Sequence, residues 1–155
     1  MVSRIHSIIP RIALALAVPA VAAVIVVYRS FTRPYAPPGS DVFAMAAGRW
    51  AWTTRDSGCT NDWHRIAFSP DHSVMTITSS KEYKQADGTW DSVAVYDIRG
   101  SGPGWIRGAI RGEMRKTPDG RLVVWDLVFR SPNRYAWHRT DWLGGAYTAE
   151  IQRCD

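Results

Sequence analysis

From Gly48 onward, turn-forming residues interrupt the chain every ten to fifteen positions, and no long helical period survives between them. Ser69-Pro70-Asp71, Ala86-Asp87-Gly88, Gly100 to Gly104, Pro118-Asp119-Gly120, Ser131-Pro132-Asn133 and Leu143-Gly144-Gly145 are the breakers. Gly and Asp accept positive φ there, and Pro presets the first turn position. The segments between them read as strands at 49–54, 63–69, 74–79, 89–99, 105–112, 121–130, 134–141 and 147–153, with 81–85 extending the third. Short connections and the lack of crossover helices make neighbours antiparallel. Eight strands of this kind predict an all-β fold, an up-and-down barrel with a two-sheet sandwich as the alternative. Closure also removes the exposed strand edges that invite aggregation.

Alternation supports a sheet with one apolar face. His64, Ile66 and Phe68 share a side of their strand, opposite Trp63, Arg65 and Ala67. Leu122 to Phe129 is apolar on both sides except at Asp126, which predicts cover on both faces. A small helical turn is expected at 41–47, capped by Ser40 or Asp41.

The first forty residues are different in kind. Ile12 to Tyr28 carries no charge and is flanked by Arg4 and Arg11 before and by Arg29 and Arg33 after. A helix of this length reaches roughly 25 Å, close to the hydrocarbon thickness of a bilayer. The expectation is a retained signal anchor over residues 1–28, with cleavage near Ala22 as the alternative. Pro34, Pro37 and Pro38 make residues 29–40 a stiff spacer, which leaves 41–155 as the folded domain. Charge excludes a polyanion partner. Of the 19 bases, four arginines lie in residues 1–40 with no acid, so the rest has fifteen bases against all 14 acids. A near-neutral domain lacks the electrostatic footprint of nucleic-acid binding.

Cys59 follows the first strand and Cys154 ends the last. In an exported chain, an even pair reads as a disulfide, and these two positions are neighbours if the barrel closes. The bond then places the domain outside the cytoplasm, periplasmic in a two-membrane host, with the anchor's N-terminus inside.

All eight tryptophans fall in the folded part. Most are expected as core, but a barrel of this size can also hold one small ligand. Trp52, Tyr96, Trp125 and Trp137 are the candidate lining, and Asp126 is its candidate polar contact. The competing reading of Asp126 is an ion pair with Arg107, Arg111 or Arg139. No nucleophile elbow, HExxH or phosphate loop occurs, and no ligand spacing implies a metal or another cofactor. Glu113 with Asp126 is the only acid–base pair worth naming, and it ranks last. His64 and His138, each within Trp-His-Arg, are expected to be ordinary strand residues.

Gly48-Arg49-Trp50 after a short helical turn, followed much later by Thr140-Asp141-Trp142 and a Tyr147-containing strand, resembles the lipocalins. The resemblance implies that Trp50 packs across the closed end of a calycin-type barrel and that Thr140, Asp141 and Trp142 form a loop at that same end. The family pattern continues with a further strand, an arginine and a C-terminal helix, whereas this sequence ends at Asp155. Gly48-Arg49-Trp50 with Cys59 also looks like small barrels that inhibit bacterial secreted metalloproteases, although those close their disulfide earlier than Cys154. The expected function is therefore binding without catalysis. The ligand is a small apolar or amphipathic molecule, with a protease-inhibitor-like or other protein-docking module, or an accessory subunit of an envelope complex, as alternatives.

Overall fold

The computed structural model describes residues 34–54, 58–85 and 87–154. The anchor expected at 1–28 and the cleavage position near Ala22 lie outside them. No helix among the described residues is long and apolar enough to cross a membrane.

Eight antiparallel strands follow one another around a closed barrel. They are β1 (Gly48–Trp52), β2 (Trp63–Phe68), β3 (Val74–Lys84), β4 (Trp90–Gly102), β5 (Trp105–Ile110), β6 (Trp125–Ser131), β7 (Arg134–Arg139) and β8 (Ile151–Arg153). Every strand pairs with its sequence neighbour, and β8 returns to β1 through Trp50 opposite Arg153 and Trp52 opposite Ile151. The sandwich alternative is thereby excluded. Two short helices, α1 (Val42–Ala46) and α2 (Gly58–Asn61), complete the described residues. Asp41 caps α1 by accepting from the Phe43 N–H at 2.9 Å, which satisfies one of its unpaired donors.

Period-two alternation decides which residues meet. His64, Ile66, Met75 and Ile77 lie on one face, cross-paired as Ile66 to Ile77 and Phe68 to Met75, and all four are buried. That is the inner face. Trp50, Phe129 and Tyr135 are fully buried, with the Trp50 and Tyr135 rings edge-to-face at 4.9 Å. Ile106, Leu127 and Ile151, equally buried, fill the space around them. The half of the barrel near α1 is therefore solid. β6 is buried on both faces from Asp126 to Phe129, as its composition implied.

Arg153 shares the inner register with Trp50 and lays its guanidinium over the indole at 4.3 Å. Its two terminal nitrogens donate to the carbonyls of Ala47, at 3.2 Å, and Met45. One side chain thus stacks on the ring and satisfies carbonyls that α1 leaves without helical partners.

Two expectations change. Of the spacer expected at 29–40, residues 29–33 lie outside the described residues, and 34–40 pack on the domain. The Tyr35 N–H donates to the Phe129 carbonyl at 2.8 Å, its ring joins the core, and Pro37 to Ser40 form a turn. Proline excludes ladder pairing at its own nitrogen but not at Tyr35, so the segment can dock. Secondly, the strand expected at 121–130 starts only at Trp125, because Thr117 to Arg121 makes its own turn and leads into an irregular stretch.

The cysteines are bonded, with Cα atoms 5.4 Å apart and 95 positions of separation. The segment carrying Cys59 folds back as α2 against β1 and β2. Ala51, on the outward register of β1, is consequently fully buried.

Candidate functional site

The barrel is closed at the α1 end and open at the other, where β1, β3, β5 and β7 finish. A cleft of about 510 Å³ opens at this mouth. Tyr96 and Trp137 line it as a stacked pair, 5.5 Å apart and 10° from parallel. His64 and Ser79, opposite each other on β2 and β3, form a polar wall. Trp52 at the end of β1 and Tyr83 on β3 supply further ring faces. The register of β3 against β4 shifts between Thr78 and Tyr83, and this bulge carries the outer part of the hairpin to the rim. Lys81, Glu82 and Lys84 stand there exposed, and Trp90, paired with Lys84 across the hairpin, keeps 66% of its surface in solvent.

His64 is buried, with Nε2 2.5 Å from the Tyr135 hydroxyl. Burial lowers its pKa from 6.5 to about 4, so the imidazole is neutral at physiological pH. Burial likewise raises the Tyr96 and Tyr135 hydroxyls above their ordinary range. His64, Tyr96 and Tyr135 therefore present neutral hydrogen-bonding groups.

Of the five residues expected to line a ligand, three meet here: Trp52, Tyr96 and Trp137. Trp125 is on the inner face but lies under the β5–β6 connection. Its ring is flanked by the guanidinium groups of Arg115 at 5.7 Å and Arg139 at 5.9 Å. Asp126 does not face the cleft. It sits opposite Arg107 and His138 on the outward register, and Arg107 grips it bidentately at 2.7 and 2.9 Å. Its role is the ion pair, because one step along a strand reverses the face. Glu113 is engaged by its own arginine, Arg115, at 2.8 and 2.6 Å. Burial pushes the Glu113 pKa up, but the Arg115 hydrogen bonds outweigh it and the net shift is downward.

Thr140, Asp141 and Trp142 leave β7 at the mouth, remote from Trp50, rather than at the closed end. The Thr140 N–H donates to the Val124 carbonyl at 3.0 Å, and Asp141 accepts from Arg139 at 2.9 and 2.7 Å. The turn at the closed end in this part of the chain is Ser131 to Asn133, one connection earlier. His138, outward-facing, has Nδ1 2.7 Å from the Ala146 carbonyl, and His72, at φ 56°, stacks on Phe43 at 4.2 Å.

Sequence reasoning missed the rim. Lys81, Glu82, Lys84 and Trp90 flank the Asp87-Gly88 turn, so their place at a hairpin tip was legible. Which end of the barrel the tip occupies was not. Among the described residues the exposed large apolar side chains are Trp90, Met114, Leu122 and Leu143, and these four belong to the mouth end.

No protein-family model, curated protein or solved structure matches this chain.

Proposed function

We propose that this chain is a membrane-tethered, extracytoplasmic small-barrel binding protein whose mouth takes one small amphipathic molecule and performs no chemistry on it. The cleft carries this reading. Its volume of about 510 Å³ exceeds the ~300 Å³ at which small-molecule sites begin. The packed interior beneath it favours an amphipathic ligand seated at the mouth over a wholly apolar one swallowed by the barrel. The Cys59–Cys154 bond supports an oxidising compartment, and the uncharged run from Ile12 to Tyr28 supports a single-pass tether. Gly48 and Trp50 after α1 support a lipocalin-like barrel.

Native mass spectrometry of the protein extracted from its own membrane tests the reading. One small molecule should be retained by the wild type and lost from a Trp52→Ala, Trp137→Ala double variant that still folds. Retention of a protein partner with an empty cleft would instead favour the docking module, for which the four exposed apolar side chains at the mouth speak. Deleting residues 12–28 should release the folded domain from the membrane.

A further inference from the structure

We propose that the ligand at the mouth is an uncharged saccharide, an inference that rests on the mouth being the binding site. Three properties of the rim select this chemistry. Ring faces are available at several angles: Trp90 is largely in solvent, Trp52 and Tyr83 are half-buried, and the Tyr96–Trp137 pair lies deeper. Such faces stack on the C–H faces of a pyranose without fixing its hydroxyl pattern.

The polar groups beside them are of both kinds. Lys81 and Lys84 donate, Glu82 accepts, Ser79 does either, and His64 keeps one ring nitrogen beyond the one held by Tyr135. Both signs of charge alternate along Lys81, Glu82 and Lys84, so the rim presents no field of one sign to select an anion or a cation. Lys81, Glu82 and Lys84 enter no ion pair among the described residues. Covering them with an apolar molecule would strip their water and return nothing. A polyhydroxylated ring returns both donors and acceptors. The filled interior sets the depth: one or two sugar rings fit the mouth, whereas an extended acyl chain meets Ile66, Met75 and Tyr135 in close packing.

The full chain in lipid nanodiscs can be titrated with chitotriose, cellotriose and maltotriose, and separately with 1-naphthol and 1-naphthalenesulfonate, using empty nanodiscs as reference. At least one trisaccharide should bind at millimolar concentration or better, and the affinity should be unaffected by salt because the ligand is uncharged. Trp90→Ala, at an exposed position, should weaken it about tenfold through loss of one stacked face. Glu82→Gln and Lys84→Gln should each weaken it by a smaller factor. Binding of a naphthalene probe with none of the sugars would overturn the saccharide while leaving the mouth as a site. Sugar binding unchanged in Trp90→Ala would overturn the placement. If none of the five probes binds, both readings fall.

Discussion

His64 sets how this protein responds to acid. Above pH 6.5 neither the folded nor the unfolded chain protonates it. Between 6.5 and about 4 the unfolded chain takes a proton that the buried imidazole refuses, so stability falls as pH is lowered. Urea denaturation at pH 7.5 and 4.5 should show a loss of about 2–3 kcal/mol that His64→Gln largely abolishes. The lowered carboxylates act elsewhere on the scale. Asp71, held down to about 2 by the hydroxyl of Ser69 and the Ser73 backbone, contributes its stability above its ordinary pKa and loses it only in stronger acid. Arg153 is the other residue with an outsized role. Arg153→Met should cost about 2–4 kcal/mol in the same assay, because the carbonyls of Met45 and Ala47 lose their donor and Trp50 its cation.

At the scale of elements, the docking of residues 34–40 depends on Gly104. It has φ +74°, and a Cβ built there would collide with the Tyr35 carbonyl and the Pro34 ring. Gly120 has a similar φ of +82° with open space around it. Gly120→Ala should therefore cost about 1 kcal/mol from backbone strain alone, and Gly104→Ala at least ~1 kcal/mol more. Limited proteolysis within 34–40 should accelerate only in Gly104→Ala. The strand boundaries read from the sequence agree closely with those of β2, β5 and the start of β7, where breakers stand at the turns. They fail at 121–124, whose backbone bonds go to Arg115, Thr117 and Thr140, and at 147–150, where Thr148 meets Trp137 of β7 and Glu150 meets Thr53 by single contacts that do not continue as a ladder.

Across the whole molecule, the seam between β8 and its neighbours is the weak line. β8 has three residues, and β7 meets it at two positions, Arg134 to Gln152 and Tyr135 to Ile151. The disulfide braces that seam from the β1 side. In the chain-entropy model a loop this long is worth about 4–5 kcal/mol, so Cys59→Ser with Cys154→Ser should lower unfolding stability by that order. Reductant should destabilise the wild type equally and leave the double variant unchanged. In hydrogen exchange, β8 amides should then open before those of β4, a strand of 13 residues that pairs with β3 along its first half and with β5 along its second.

The number of strands, their antiparallel order and the cap at Asp41 are properties of local sequence, because breakers, period-two alternation and side-chain capping act within a few residues. Closure explains why two cysteines 95 positions apart meet. The candidate site was legible only in part. Its rings at Trp52, Tyr96 and Trp137 were recognisable as large aromatic strand residues. The face taken by Asp126, the end reached by Thr140 to Trp142 and the approach of Lys81, Glu82 and Lys84 to those rings were decided by register, strand direction and the bulge in β3. Alternation separates two faces without saying which one closes inward, and that assignment exists only once every strand has found its partner.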